Sequence, residues 1–310
     1  MKKYKNFTVA PEHKGLTVEQ YIVAVLQYSR RSVQRLTRQK GIQLNSAPAF
    51  LKRPVKTGDI IKIRISDDTV AIVAEKGGID ILYEDSRLFV INKPPYQLVH
   101  PAGRTATDTT ANYLAGYCQE KGLGITVRPI HRLDRNTSGC VLFAADAHTQ
   151  YLLEEQMKQN CLHRIYQALV KGILPADKGT FDMPIGPHPS QPNRRWVCQN
   201  GERAITHYRV LEIYGRFSLV ELTLETGRTH QIRVHLAAAG YPVVGDAMYG
   251  EPSRLIARQA LHAAAITFHH PDNKKITTVK APLPTDFSQA LTAVSRAASC
   301  SEMELPFQSS

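Results

Sequence analysis

Two kinds of hydrophobic periodicity divide the chain. Near the N-terminus, Val18, Ile22 and Leu26 recur at helical spacing after Thr17, which can cap a helix. A shorter helix is predicted between Ser32, as its cap, and Gly41, as its stop, and an alternating strand follows at residues 60–65. From Ile79 onward the pattern changes to short apolar runs that are typical of strands. A small N-terminal module and a larger sheet domain are therefore predicted.

The larger part mixes long strands with a few helices. Helices are predicted at 109–121 and from an Asp146 cap to about 160. The predicted strands are 79–84, 88–92, 140–145, 164–171, 196–199, 204–211 and 217–226. Asn200-Gly201 is a hairpin signal between 196–199 and 204–211. The expected fold class is α+β, with a mixed, mostly antiparallel sheet flanked by helices and loops, preceded by a small α/β N-terminal domain.

Paired glycines mark the expected domain boundary. Glu75-Lys-Gly-Gly78 lies in a stretch without periodicity, so residues 69–78 are predicted to be a linker. The N-terminal domain then covers 1–68 and the main domain 79–290. A helix from about Ser288 is expected to decay into a polar tail that covers 291–310.

Composition narrows the function classes. The chain has 310 residues, of which 43% are hydrophobic, and no apolar run approaches the roughly 18 residues of a membrane helix. Its formal net charge of +12 favours a polyanionic partner, with nucleic acid ahead of a membrane surface. A solvated basic surface is the alternative.

Cysteine usage indicates a reducing compartment. The five cysteines are widely scattered without a Cys-x-x-Cys pair, so neither a disulfide framework nor a zinc site is expected. The first residues lack the apolar segment of a secretory signal, and a cytoplasmic protein is expected.

The densest chemical motif is the run from His131 to Gly139, in which Asp134 stands between Arg132 and Arg135. Neighbouring positive charges favour the carboxylate form, so these arginines are expected to keep Asp134 ionised. The run precedes a buried strand, which places Asp134 on a loop at a strand edge, where functional groups are often found. For a short Arg-Leu-Asp-Arg segment alone, a salt-bridged turn is the more frequent explanation.

A second motif runs from Thr226 to Gly240. Its alanine run and glycine stop favour a helix capped by Thr229, on which His230 and Arg233 share one face. Taken alone, His230 is more often a structural hydrogen-bonding group. Tyr166, in the strand at 164–171, is by itself more often a core residue than a catalyst.

Together, these motifs resemble the RluA family of RNA pseudouridine synthases, which isomerise uridine in RNA without a cofactor. The resemblance implies a pseudouridine synthase fold, with Asp134 as the catalytic carboxylate, Arg233 as its ion-pair partner and Tyr166 in the active site. It also implies that Arg132 fills the space left by the displaced base. The other expected substrate or RNA contacts in this domain are Lys93, His100, His131, Arg135, Thr229 and His230. The segments 245–250 and 261–263 match family landmarks near the site, whereas Tyr96, Asn136 and Cys140 depart from the common pattern.

The N-terminal module has its own resemblance. Ser29-Arg-Arg-Ser32, the basic helix after it, Gly41–Asn45 and Val55–Ile60 resemble the ribosomal-protein S-four-like RNA-binding domain. The resemblance makes Arg30, Arg31, Arg35 and Arg38 expected RNA contacts. A solvated helix face is the alternative reading of the charges alone.

The resulting hypothesis is an RNA pseudouridine synthase that flips a uridine out of structured RNA. The enzyme is expected to be a monomer that acts on 23S ribosomal RNA, with transfer RNA as the second candidate. No cofactor or membrane partner is expected. No metal is expected either, because the acidic residues are not clustered and no His-x-x-x-His pair occurs. The competing hypothesis is a non-catalytic RNA-binding or ribosome-assembly protein. The presence of Asp134, Tyr166 and Arg233 together favours the enzyme.

Overall fold

The computed structural model describes residues 4–64 and 72–303. Within residues 4–64, four antiparallel strands form a small sheet in the order β1-β4-β2-β3. These strands are β1 (Tyr4–Thr8), β2 (Ile42–Leu44), β3 (Ala47–Pro48) and β4 (Ile60–Arg64). Residue 65, which ends the predicted strand, lies outside the described residues.

Two short helices cover this small sheet. Helix α1 (Val18–Gln20) begins in a capping box between Thr17 and Gln20, as the predicted cap requires, and continues as a π-helical turn over Tyr21–Val25. Helix α2 is Arg30–Arg38. Its cap is Ser29, whose hydroxyl accepts the amide of Ser32, so the predicted cap at Ser32 is wrong by three residues. The apolar side of α2 packs into a hydrophobic core that belongs to this module alone.

Residues 72–303 contain a sheet of ten strands. Eight of them follow the order β10-β13-β14-β9-β15-β8-β6-β5, with β16 paired to β15 and β7 paired to β8. The bounds are β5 (Ile81–Glu84), β6 (Leu88–Lys93), β7 (Arg128–Pro129), β8 (Ser138–Ala144), β9 (His163–Lys171), β10 (Lys178–Asp182), β13 (Ile205–Tyr214), β14 (Phe217–Leu224), β15 (Leu261–His269) and β16 (Ile276–Lys280). Only the β8–β15 pair in this sheet is parallel. The predicted α+β class and mostly antiparallel mixed sheet are confirmed.

Both faces of the central strands are buried, because alternate side chains contribute to two different cores. Phe89 and Phe143 lie in the larger core, whereas Leu88 and Leu142 lie in the smaller one on the other face. The covering helices are α3 (Thr110–Glu120), α4 (Ala147–Lys158), α5 (Gln231–Ala238) and α6 (Thr285–Met303). Helix α4 packs on the smaller core through Leu153, and the other three contribute to the larger one.

Two chain segments differ from the sequence expectation. Strand β12 (Arg195–Val197) pairs with β11 (Ile185–Pro187), so the predicted hairpin between 196–199 and 204–211 is wrong. Helix α6 continues to Met303 and buries Val294, which extends ordered structure past the expected tail boundary at residue 291.

Residues 72–78, the described part of the expected linker, are held against α3. The Glu75 amide donates to the Asn112 carbonyl over 3.1 Å, and the Glu75 carboxylate accepts the Asp108 amide over 2.7 Å. Gly116 allows this approach, since a side chain there would clash with the Glu75 backbone. This segment therefore follows the surface of the large domain.

Candidate active site

Asp134 lies in the loop between β7 and β8, whose ends are both tied to the large sheet. A turn bond from the Thr137 amide to the Asp134 carbonyl, of 3.0 Å, shapes the loop. Gly139 has φ +108°, and any Cβ at that position would clash with the Ala263 carbonyl of the parallel neighbour β15. The loop is thereby fixed, while the Asp134 side chain keeps 20% of its surface exposed.

Arg233 of α5 is the ion-pair partner of Asp134. Its Nη1 donates to Asp134 Oδ2 over 3.0 Å, while Nε and Nη2 donate to the two oxygens of Asp246 over 2.7 and 2.8 Å. Burial lowers the pKa of Arg233, but the bonds and charges of Asp246 and Asp134 raise it overall. Arg233 is thus a permanently charged group whose orientation is set by Asp246 and whose free edge holds Asp134.

The two arginines that flank the Leu133-Asp134 pair in sequence differ in their surroundings. Arg132 is exposed at the rim of the pocket, and Arg135 donates through Nε to the Tyr96 carbonyl over 3.0 Å. Tyr96 has φ +66°, the left-handed region that favours glycine over a residue with a side chain. The Arg135 bond is one of the contacts that hold this strained backbone.

A small pocket of about 70 Å³, open to solvent, lies at the exposed side of Asp134. The expected site residues that line it are Arg132, Asp134, Tyr166, Thr229, His230 and Arg233. The motifs separated by about a hundred residues in sequence therefore meet in one place.

Tyr166 reaches this pocket from β9 and is itself buried. Burial raises the pKa of its phenol, and the Arg164 charge opposes this rise only in part. The hydroxyl is consequently protonated at neutral pH. The ring offers an apolar surface to a base, with a hydroxyl that can donate or accept a hydrogen bond.

The start of α5 differs from the predicted Thr229 cap. His230 precedes the helix in a left-handed conformation, φ 59° and ψ 18°, and no side chain caps the helix there. Instead the Gln231 side-chain oxygen accepts the Arg228 amide over 2.9 Å and the Thr226 hydroxyl over 2.8 Å. His230 nevertheless shares the pocket with Arg233, and its Nε2 lies 3.9 Å from Asp134 Oδ1.

Two expected substrate contacts are buried outside this pocket. Lys93 donates to the carbonyls of Pro94, Gln97 and Arg135, over 2.7 to 3.1 Å, and so joins its own loop to the Asp134 loop. Burial, together with the Arg258 charge, lowers the pKa of Lys93 to about 7. His131 accepts the Leu142 amide at Nε2, and burial lowers the pKa of His131 to about 3, so its ring is neutral. Both residues support the loop from behind.

His100 and the arginines of α2 lie elsewhere. His100 is half-buried outside the pocket, and burial and the Arg132 charge lower its pKa. Arg30, Arg31 and Arg38 are exposed on α2, whereas Arg35 lines a cleft between the N-terminal module and α4. The structure therefore places the α2 arginines on a surface separate from the Asp134 pocket.

Sequence reasoning missed two residues that the site depends on. Asp246 is 1% exposed and holds Arg233, and Tyr249 bonds His230. Both lie in the segment 245–250, which the sequence marked as a landmark without assigning a contact. Among residues 4–64 and 72–303, no group of three or more His, Cys, Asp or Glu side chains could hold a metal ion. No helix in those same ranges is long and apolar enough to cross a membrane.

Comparison with known proteins identifies the family of this chain. The family model for RNA pseudouridylate synthase matches residues 87–238, which include Asp134, Tyr166 and Arg233. Among solved structures, human RNA pseudouridylate synthase domain containing 1 aligns with a TM-score of 0.54 and 26% identity, over 71% of this chain and 97% of that one. Human RNA pseudouridylate synthase domain containing 4 aligns with a TM-score of 0.56 over 70% of this chain and 93% of that one, and at 24% identity it shows the shared fold.

Sequence relatives cover more of the chain. The Bacillus subtilis (strain 168) protein called uncharacterized RNA pseudouridine synthase YhcT is 40% identical over 264 residues, 84% of this chain and 87% of the relative. Ribosomal large subunit pseudouridine synthase D of Nitrosomonas europaea is 38% identical over 299 residues, 93% of this chain and 87% of the relative. Identity of this degree over most of both chains shows that the protein belongs to the RNA pseudouridylate synthase family and is an isomerase that acts on RNA.

Proposed function

We propose that this enzyme converts specific uridines of 23S ribosomal RNA to pseudouridine, with Asp134 as its catalytic carboxylate. The observation that carries the assignment is the Asp134–Arg233 ion pair of 3.0 Å, which opens into a pocket lined by Tyr166. The ribosomal target is supported by relatives named ribosomal large subunit pseudouridine synthase D. Transfer RNA is the second candidate substrate.

The reaction needs no net change of atoms. The bond from uracil N1 to ribose C1′ breaks, the freed ring turns, and C5 bonds C1′, while the proton of C5 is lost and N1 gains one. Asp134 Oδ2 is held by Arg233, so Oδ1 is the oxygen available to act as nucleophile or base. Arg233 keeps the carboxylate charged and oriented throughout.

The target base has to leave its stack to reach Asp134. In our proposal Tyr166 stacks on the extruded uracil, and the exposed Arg132 occupies the gap in the RNA. Because the Tyr166 hydroxyl is protonated at neutral pH, its part in moving the C5 proton is as a hydrogen-bonding group. Thr229, which lines the pocket, and the nearby Arg135 are exposed and are proposed to contact the RNA.

Residues 4–64 are proposed to be a ribosomal-protein S-four-like RNA-binding domain within 1–68. Their separate core and the exposed arginines of α2 support this assignment. Residues 79–290 then form the catalytic domain. A cytoplasmic location is supported by the free state of the four described cysteines.

Replacing the carboxylate tests the chemistry directly. Asp134→Asn should bind 23S ribosomal RNA as tightly as the wild type and form no pseudouridine, because the amide cannot serve as nucleophile or base. Product is measured by chemical mapping of pseudouridine in RNA from cells that lack the gene, after incubation with each protein. Asp177→Asn removes the same charge from an exposed position and should act at the wild-type rate.

Three results would contradict the proposal. An Asp134→Asn protein that forms pseudouridine at the wild-type rate would remove the carboxylate from the mechanism. Deletion of the gene without loss of any pseudouridine from 23S ribosomal RNA would exclude the proposed substrate, and loss from transfer RNA instead would identify the second candidate. A wild-type protein that binds RNA and forms no product would favour the non-catalytic alternative.

A further inference from the structure

Two hydrogen bonds and one longer contact lead from the β11–β12 hairpin to Asp134, the proposed catalytic carboxylate. The Arg195 amide donates to the Tyr249 hydroxyl over 2.9 Å, and that hydroxyl lies 2.8 Å from His230 Nδ1. The other ring nitrogen of His230, Nε2, lies 3.9 Å from Asp134 Oδ1. The mechanism described above assigns no task to Tyr249 or His230.

The hydrogen bonds of the Tyr249 hydroxyl decide which ring nitrogen of His230 carries the proton. The Tyr249 oxygen already accepts the Arg195 N–H, and in the described part of the chain its own hydrogen has no acceptor other than His230 Nδ1. Burial raises the pKa of Tyr249, so this hydrogen is present at neutral pH. His230 Nδ1 must then accept, which puts the proton of a neutral imidazole on Nε2, the nitrogen that faces Asp134.

His230 is held in this orientation at a backbone cost. Its φ of 59° lies in the left-handed region, which costs a residue with a side chain about 1 kcal/mol or more. The Tyr249 ring meets the His230 ring edge-on at 5.6 Å and lies beneath the guanidiniums of Arg233 and Arg194, at 5.0 and 5.3 Å. Strain maintained by so many contacts is typical of residues that serve a site.

We propose that His230 and Tyr249 are positioning residues of the pseudouridine synthase reaction. Tyr249 fixes the tautomer of His230, and His230 Nε2–H then bonds Asp134 Oδ1 once RNA fills the pocket. Hydrogen bonds at catalytic groups are often long in unbound enzymes and shorten in the substrate complex, which accounts for the 3.9 Å separation. Arg233 then binds Oδ2 and His230 binds one lone pair of Oδ1, which stops the carboxylate from rotating and leaves the second lone pair of Oδ1 for the reaction.

This inference rests on the proposed function for its kinetic consequences, but the tautomer can be measured without RNA. In the ¹⁵N–¹H correlation spectrum of the histidine rings, the His230 signals are assigned by their absence from His230→Gln. We expect wild-type His230 to carry its proton on Nε2 and Tyr249→Phe to show a mixture of tautomers. Tyr117→Phe is the matched control, since it removes another hydrogen-bonded hydroxyl, from α3, and should leave the His230 signals unchanged. A wild-type His230 protonated on Nδ1 would overturn the proposal.

Kinetic measurements distinguish a residue that positions Asp134 from one that only stabilises the fold. His230→Leu should lower kcat about tenfold with little change in KM, because it removes one hydrogen bond to a charged group. His230→Gln keeps an N–H in the place of Nε2 and should recover most of that loss, which a purely structural residue would not permit. A raised KM with unchanged kcat in His230→Leu, or no rescue by Gln, would contradict the assignment. If the wild type forms no pseudouridine, the proposed function fails, and the tautomer measurement still tests the chain.

Discussion

Arg233 joins two acidic residues of the site, because its one guanidinium binds the carboxylates of both Asp134 and Asp246. Its Nε and Nη2 form the parallel pair of bonds with Asp246 that suits a guanidinium, and Nη1 is left for Asp134. Lysine could not replace it, since a single ammonium cannot make this fork and also reach Asp134. The orientation of Asp134, the proposed catalytic carboxylate, therefore depends on a second and buried acid, Asp246.

Asp246→Asn tests that dependence. The change leaves a buried guanidinium with one charged partner in place of two, which should lower the free energy of unfolding by about 3 kcal/mol. It should also lower kcat per folded molecule at least tenfold, because Arg233 is then free to turn away from Asp134. Urea unfolding and single-turnover rates measure the two effects.

Asp286→Asn is the control for this experiment. Asp286 binds the buried Arg258 through the same two nitrogens, at 2.7 and 2.9 Å. Asp286→Asn should lower the free energy of unfolding, but it should keep a much larger share of the activity than Asp246→Asn does. If the two variants lose kcat equally, loss of activity reports general loosening and not the position of Arg233.

At the scale of residues, the sequence predicted which groups meet in the pocket better than which groups support them. Asp134, Tyr166 and Arg233 were assigned from motifs, and the structure brings them to one pocket. Asp246, 112 positions beyond Asp134, could not be assigned as a partner because no local pattern reports which acid a buried arginine will meet. His131 and Lys93 were taken for substrate contacts because motif position does not distinguish a residue that lines a pocket from one that supports it from behind.

At the scale of elements, the N-terminal cap of α4 is the clearest example of a feature that the sequence predicts. Asp146, predicted as the cap of α4, accepts the amides of His148 and Thr149 and also binds Arg87 over 2.8 Å. The sequence predicted an element well where a local signal decides it, as the Asp146 cap does for α4 and the hydrophobic pattern does for β9. They were missed where a contact distant in sequence decides, as for β12, whose partner is β11, and for α5, whose first turn is fixed by Gln231.

The α4 cap should make stability depend on pH in the acidic range. Burial raises the pKa of Asp146, but Arg87 and the bonds from Thr149 lower it overall, below the ordinary value of 3.8. A carboxyl with a lowered pKa stabilises the fold above its unfolded pKa, and the contribution is lost as the pH falls through the folded pKa. We expect Asp146→Asn to lower the free energy of unfolding by about 2 kcal/mol from pH 7 to 5, and this difference to shrink below pH 4.

Urea unfolding of both proteins between pH 3 and 7 measures this effect. The exposed Asp177→Asn serves as the control and should show no such difference. A difference between wild type and Asp146→Asn that stays constant down to pH 3 would mean that the lowered pKa of Asp146 contributes nothing.

At the scale of the whole molecule, the N-terminal module contacts the large domain through individual side chains. The rings of Tyr28 and His148 stack with centroids 3.8 Å apart, and Lys5 lies 3.5 Å from Asp272. Burial lowers the pKa of His148 to about 4, so the stacked ring is neutral. Sequence reasoning separated the two parts by their periodicity and glycines, but could not predict how they dock, since the docking contacts are single side chains without a pattern.

This arrangement divides the basic residues of α2 into two groups with different expected effects on RNA binding. Arg30, Arg31 and Arg38 face solvent, whereas Arg35 lines the cleft beside Tyr28 and His148. Each phosphate contact that is lost should reduce the slope of log K against log salt concentration by about one. The triple change to Ala at Arg30, Arg31 and Arg38 should therefore flatten the salt dependence of 23S ribosomal RNA binding, while kcat at saturating RNA stays near the wild-type value.

Filter binding between 50 and 300 mM KCl measures the slope. A triple change of Lys171, Lys178 and Arg209 to Ala removes the same charge from exposed positions on β9, β10 and β13. If α2 follows the RNA backbone, the first variant loses slope and the second keeps it, because counterions are released only where charges meet phosphates. Equal losses in both variants would mean that RNA responds to the net charge of +12 rather than to α2.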